Sequence, residues 1–329
     1  MPMEPSDTPL GPIGLILPTF LQDSAPEWPE APTRVGGPAC DLSAVSRQAE
    51  ELGAGALWAC DHVFWHGPCL ECMVALTVAA SATEQVVVGS CVVQLPLRQA
   101  PVVAKQAASL QLLSGGRLIL GVGVGSHPGE YAESGIDYHR RGRLLDAGIL
   151  ELRRSWASGQ GVEAGDIDAD GPTRYRQLPA PPPVPVWAGG SSEAALRRAA
   201  TLADGWMPLF LTPKAYGEAV ERLAKEVDRA GRGPDEVTPS IVLFVSIDDD
   251  PVLARRRGTG WMGSLYGIPA KAFERHLVSG TASEVADTVA VYRRAGARHV
   301  VVYVTADRPI EQFERLTAAL PSAGVPTRG

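Results

Sequence analysis

Three short stretches of this chain place groups that could move protons or hold anions beside glycines and aromatic rings. The first is Asp61-His62, flanked by Trp58, Phe64 and Trp65. An imidazole titrates near neutral pH, so this pair could hydrogen-bond a flat heterocycle and transfer a proton at a reacting atom. The surrounding indoles and phenyl ring could wall such a heterocycle. The same two residues would also serve as a helix cap or a satisfied polar pair at a strand end.

The second stretch is Gly121-Val122-Gly123-Val124-Gly125-Ser126-His127. A dinucleotide fingerprint opens a helix at once, whereas these glycines lie within a strand and at its end. Small residues there admit something bulky, which is either packed barrel side chains or a cofactor ring. The third stretch, Gly189-Gly190-Ser191-Ser192, precedes a helix expected over Glu193–Leu202. Free backbone N–H groups, two glycines and two hydroxyls make a phosphate cradle that needs no positive side chain. A plain N-cap by Ser191 or Ser192 is the alternative. Cys69 and Cys72 form a C-x-x-C after Gly67-Pro68, and with His62 and His66 they could hold zinc or act as a redox loop. We prefer two thiols in the cap and first turn of a helix running to about Thr83, and no metal.

Eight apolar runs position these groups: Ile13–Pro18, Ala56–Asp61, Val86–Val93, Leu118–Val124, Val184–Ala188, Gly205–Pro208, Ile241–Ile247 and Val300–Thr305. Most lack polar/apolar alternation, as parallel strands covered on both faces do. Each is followed by a helical stretch. The pattern predicts an α/β fold, a (β/α)8 TIM barrel formed by residues 1–329 as one domain, with its chemistry at the carboxyl ends of the strands. Insertions are expected after strands 1, 4 and 7. Residues 19–40 should fold over the barrel mouth, and residues 159–183 should make an excursion before the fifth strand. Residues 249–280 carry Trp261, Met262, Leu265 and Tyr266, which would cap a pocket or form an interface. Helices are expected from about Leu42 to Leu52, from Pro101 to Ser114, from Arg140 to Ser158 and over Ser283–Ala295.

The 329 residues are 45% hydrophobic and 20% charged, with a formal charge of −7. That balance disfavours a nucleic-acid surface, and Arg255-Arg256-Arg257 reads as a solvated face rather than an anion site. No apolar run is long enough to span a bilayer, and the first residues have no secretory pattern. A cytoplasmic protein with five free thiols and no membrane partner is expected.

The stretch Ala56–Gly142, including LWACDHVFW, VVVGSCVVQLPLRQAP and LILGVGVGSHPGEY, resembles the bacterial luciferase-like superfamily. Within it, the similarity is greatest to flavin/deazaflavin oxidoreductases that use coenzyme F420. PVPVWAGGSSEAALRRAATLADGWMP and EVADTVAVYRRAGARHVVVYV are similar to the central and carboxyl-terminal signatures of the same family. The resemblance covers residues 11–305. It implies a ring bound in the barrel mouth, with Asp61 at its polar edge and His62 as acid/base. It also implies a bulge with a non-prolyl cis peptide at Cys91-Val92 and Gln94 aimed at the ring. Gly125 and Ser126 would complete the cofactor-binding set. Gly189, Gly190 and Ser191 would hold the phosphate, and His127 is the other candidate proton donor.

The family's sugar-phosphate dehydrogenases carry a Glu after the fourth-strand glycines, where this chain has Ser126 and His127. Their tryptophan stands four residues beyond the His, whereas Trp65 stands three beyond His62. Both departures argue against oxidation of a sugar phosphate. The resemblance therefore implies an F420-dependent oxidoreductase acting on a small-molecule substrate, as a homodimer, with Trp156 and its apolar-striped helix as surface to bury. The alternatives are an FMNH2-dependent monooxygenase and a non-catalytic flavin-binding protein; pure binding would not require Asp61-His62.

Overall fold

The computed structural model describes residues 10–11, 13–20, 41–159, 176–306 and 308–320. Its strands are β1 (Ile13–Ile16), β2 (Ala56–Ala59), β3 (Val87–Ser90), β4 (Val93–Gln94), β5 (Leu118–Gly123), β6 (Val186–Gly189), β7 (Gly205–Met207), β8 (Thr238–Ile247), β9 (Leu277–Gly280) and β10 (His299–Val304). Among these strands all pairings are parallel. They run β1–β2–β3–β5–β6–β7–β8–β10 and back to β1, which closes the expected eight-stranded barrel. The helices are α1 (Leu42–Glu51), α2 (Cys72–Ala82), α3 (Ala100–Leu113), α4 (Pro128–Glu133), α5 (Arg141–Ser158), α6 (Glu193–Leu202), α7 (Pro213–Arg229), α8 (Pro251–Tyr266), α9 (Ala282–Arg294) and α10 (Pro309–Ala319). None of the described helices is long and apolar enough to cross a membrane.

Most expected helices sit where local signals put them. Asp41 caps α1, Pro101 lies in the first turn of α3, and Thr281 caps α9 in a capping box with Glu284. The third apolar run is broken in two. Val88 and Gly89 face Leu118 and Ile119, and Val93 and Gln94 then face Val122 and Gly123, so one extra residue bulges out. The Cys91-Val92 bond within that bulge is cis.

The insertion after the seventh barrel strand is not a loop. It is α8, a short 3-10 turn and β9, which pairs with the upper half of β8. Met262 and Leu265 are buried against Ile16, Phe244 and Tyr303, so this insertion packs its apolar groups over the barrel mouth. Arg255 and Arg256 lie on its exposed face. Residues 21–40 and 160–175, which carry the other two expected insertions, lie outside the described residues, as does Cys40. The apolar stripe of α5 is spent inside the protein. Leu145, Leu152 and Trp156 are buried, and the Trp156 indole donates to the Ala104 carbonyl at 2.9 Å. Trp156 therefore offers no face to a second copy, contrary to the expectation from its spacing.

The barrel interior is filled by large rings opposite glycines. A Cβ on Gly14 would come within 2.7 Å of His299 Nε2, and one on Gly89 within 2.4 Å of the Trp58 ring. Those glycines leave room for a buried bond in which Trp58 Nε1–H donates to His299 Nε2 at 3.0 Å. His299 Nδ1–H donates to the Gly11 carbonyl at 2.6 Å. Burial pushes the His299 pKa down to about 4, against the pull of the Gly11 carbonyl, so the folded ring is neutral.

An unfolded His299, near its ordinary 6.5, takes up a proton that the folded ring refuses. Its contribution is present in full above that value and is lost as pH falls towards 4, by roughly 3 kcal/mol. Urea unfolding of wild type and His299→Gln at pH 7.5 and pH 4.5 should show the steeper acid loss in wild type. Equal losses would contradict this account.

Candidate active site

At the end of β2 the chain turns outward, and Asp61 stays buried while His62 reaches the mouth, half-buried. Asp61 Oδ2 accepts the Gln94 backbone N–H at 2.9 Å, and Oδ1 accepts Arg98 Nη2 at 2.7 Å. Asp61 thus ties the β2 end to the far side of the bulge. Beside it, Gln94 Nε2 donates to the Asp61 carbonyl at 3.0 Å and to Glu130 Oε2 at 3.0 Å.

Glu130 is the residue that the sequence reading missed. It stands in the first turn of α4, a helix anchored by buried Tyr131, whose hydroxyl donates to the Val124 carbonyl. The Glu130 carboxylate is almost fully buried. It accepts the Val63 and Phe64 N–H groups at 3.0 and 3.2 Å, and it meets His62 Nδ1 at 2.9 Å. Burial pushes its pKa up, but the His62 bond and charge, the Gln94 amide and the Phe64 N–H outweigh that and hold it below the ordinary value. Because the carboxylate can only accept, Nδ1 carries the shared hydrogen and Nε2 of a neutral His62 keeps its lone pair. Nε2 has no protein partner among the described residues. The ring is held from its sides by Trp65, with centroids 3.9 Å apart, and by Phe20 at 5.6 Å.

Gln94 lies between these groups with its amide nitrogen facing the Asp61 carbonyl and both Glu130 carboxylate oxygens. Its Oε1 is buried without a partner and lies 2.0 Å from where a Cβ on Gly125 would stand. Gly125, at φ +67°, therefore lets the amide in. The other glycines of that stretch serve the bulge. Cβ atoms on Gly123 and Gly189 would come within 2.4 and 3.1 Å of the Val92 side chain, and one on Gly121 would meet the Ser90 carbonyl at 2.0 Å. What the glycines admit is therefore Val92 and the β3 backbone.

The remaining candidates lie apart from this knot. His127 caps α4 and is exposed, with its ring 5.8 Å from Trp65. Ser126 is exposed beside it. Gly190 has φ +112°, and its carbonyl accepts the Trp206 indole at 2.8 Å. The capping hydroxyl of α6 is that of Ser192, which accepts from Ala195, so Ser191 is left exposed. Glu193 in the first turn opposes an anion there, and Arg222 pairs with it at 3.2 Å.

The described residues do not gather His62, His66, Cys69 and Cys72 into one cluster. The group that does meet is Asp61, Glu71 and Cys72, and Arg98 is ion-paired to both carboxylates. Burial, aided by the Asp61 charge, pushes the Cys69 thiol up to about 12 and Cys72 well above its usual range. Neither is poised as a thiolate nucleophile.

Beside the polar knot, aromatic side chains line the mouth. They are Phe20 after β1, Phe210 after β7, Phe244 on β8, Trp261 and Tyr266 on α8, and Tyr303 on β10. A polar, hydrogen-bonded knot with one imidazole edge left open thus lies beside an aromatic cluster at the carboxyl ends of a parallel barrel.

A family model described as luciferase-like monooxygenase matches residues 19–258. The chain belongs to this family. An uncharacterised Mycobacterium tuberculosis protein is 34% identical over 182 residues, which cover 55% of this chain and 61% of that protein. This luciferase-like chain thus spans about three fifths of that relative's length. A phthiodiolone/phenolphthiodiolone dimycocerosates ketoreductase of the same species is 26% identical over 288 residues, covering 72% of this chain and 74% of that enzyme. Among solved structures, an F420-dependent secondary alcohol dehydrogenase in complex with an F420-acetone adduct superposes with a TM-score of 0.75 at 17% identity, covering 94% of this chain and 99% of that one. The oxygenating constituent of the 3,6-diketocamphane monooxygenase of Pseudomonas putida, in complex with FMN, gives 0.70 at 15% identity, over 94% and 98% of the two chains. At these identities the structural likeness is one of fold.

Removing the Glu130 carboxylate strands the donors that converge on it. Glu130→Ala should cost about 2–4 kcal/mol in urea unfolding at pH 7. Because the folded carboxyl sits below its ordinary value of 4.5, the gap between wild type and variant is full above that pH and narrows as pH falls below it. A variant within about 0.5 kcal/mol of wild type would contradict the assigned network.

Proposed function

We propose that this luciferase-like chain is an F420-dependent oxidoreductase that moves a hydride between the deazaflavin and an organic small molecule. The observation that carries the proposal is His62, locked through Nδ1 onto buried Glu130 with Nε2 left to act at the barrel mouth. The residues present suit the cofactor: the buried Gln94 Oε1 lacks a donor, and a flat ring with polar edge groups could supply one. Asp61, Gln94, Gly125 and the cis Cys91-Val92 bulge would hold the ring, and Ser126 would border it. Gly189, Gly190 and Ser191 would hold the phosphate at the start of α6. When bound, a deazaflavin supplies two-electron chemistry without activating oxygen. The ketoreductase name of one relative supports that kind of reaction over oxygenation.

The protein's own part is proton handling and shelter. His62 Nε2 accepts or releases the proton at the substrate oxygen, and the Glu130 carboxylate steadies the imidazolium that forms. Glu130 and Gln94 fix the ring's plane, and the aromatic wall keeps water from the reacting atoms. His127, exposed with its ring 5.8 Å from Trp65, is the second candidate proton donor. The second reading, an FMNH2-dependent monooxygenase, draws on the same dry aromatic wall and on the FMN complex with this fold.

His62→Ala should lower kcat by about 10²–10⁴-fold while F420 affinity stays within several-fold, as measured by steady-state kinetics and fluorescence titration. Undiminished turnover would make His62 structural and leave the proton to His127, a mouth tyrosine or water.

A further inference from the structure

One group in the barrel mouth has no part in that scheme. Tyr303 lies near the end of β10, and its hydroxyl is buried with no hydrogen-bond partner among the described residues. Buried hydroxyls normally find partners, because an unmet one forfeits its hydration for nothing. The ring is fixed, stacked on Phe244 at 5.1 Å and on Phe20 at 6.5 Å, with Trp261 edge-on at 5.1 Å. Phe20 in turn lies 5.6 Å from His62. A single ring therefore separates the phenol from the imidazole.

A second, independent observation lies across the same mouth. Phe210 adopts φ +59°, a region that residues with a Cβ rarely occupy. It is held there by stacking on Phe244, with centroids 5.4 Å apart and planes 8° apart. His276, 5.3 Å from Phe210, also has a buried Nδ1 without a partner. Backbone held in such a conformation gathers at ligand clamps.

We propose that Tyr303 orients the substrate, its hydroxyl donating to the oxygen of an apolar, ring-bearing ketone or alcohol held among Phe20, Phe210, Phe244 and Trp261. These rings carry no charge, and the half-buried Phe20, Phe210 and Trp261 offer apolar surface on which a flat body packs, with buried Phe244 behind them. That composition selects against phosphorylated or carboxylated substrates. Burial pushes the phenol well above its ordinary pKa, so it donates without titrating at working pH and leaves proton transfer to His62. The proposal deepens the oxidoreductase reading and rests on it for the reaction, but the binding claim can be tested without cofactor.

Acetophenone and ethylbenzene have nearly the same shape and differ in the carbonyl oxygen. Their binding to the full chain and to Tyr303→Phe is followed by calorimetry and by quenching of tryptophan fluorescence, with and without F420. Wild type should prefer acetophenone by about tenfold. Tyr303→Phe should lose that preference while binding ethylbenzene within about twofold of wild type. The variant should be no less stable than wild type, since the hydroxyl it loses has no protein partner. No preference in wild type, no binding of either probe, a preference that survives in Tyr303→Phe, or a destabilised variant would each overturn the proposal. Failure of F420 itself to bind would overturn the cofactor reading while leaving a probe preference intact.

Discussion

A carboxylate buried among donors is stable only if every donor is in place, and Glu130 sets that condition for the whole mouth of this barrel. Two backbone N–H groups and one imidazole from the turn after β2, and one amide from the bulge, converge on it. The turn after β2, the bulge between β3 and β4 and the short helix α4 are therefore fixed relative to one another by a single charge. The consequence for chemistry is direct. His62 is held by one nitrogen, so the neutral ring has a defined tautomer and its other nitrogen a fixed direction, which the proposed proton transfer would use.

That arrangement depends on a second constraint one layer down, where glycines give their space to larger neighbours. Gly121, Gly123 and Gly189 make room for the Val92 side chain and the Ser90 carbonyl, and Gly125 makes room for the Gln94 amide. Lower still, Gly14 and Gly89 accommodate Trp58 and its bond to His299. Small-for-large exchange between neighbouring strands thus carries the bulge, and the bulge carries Gln94 to Glu130. The aromatic cluster beside it is built differently, from rings at several strand ends with Trp261 and Tyr266 of α8 folded in over them.

The barrel was legible because parallel strands covered on both faces read as unbroken apolar runs, and Asp61-His62 could be placed because it ends one of them. The cis bulge came from family resemblance alone, since nothing in the composition of Cys91-Val92 signals it. Glu130 escaped because its partner His62 lies 68 residues earlier and contact between a strand end and a helix leaves no periodic trace. β9 escaped because Leu277–Gly280 is four half-polar residues, too short for alternation to show. The stripe of α5 was read correctly as apolar, but spacing does not say which neighbour buries it. Here α3 does, through Ala104 and Trp156. The glycine run was read as room for something bulky, and the choice between packing and a ring needed the coordinates of Val92.

In the proposed function the polar knot around Gln94 and His62, with the glycines that open α6, would hold a deazaflavin. The most direct test is fluorescence titration of the purified protein with F420 and with FMN separately, repeated on a folded Gly190→Leu variant. F420 should bind at least about tenfold more tightly than FMN, a difference of about 1.4 kcal/mol, and Gly190→Leu should weaken F420 binding well beyond any loss of stability. Tighter binding of FMN, or F420 affinity unchanged in Gly190→Leu, would contradict that assignment.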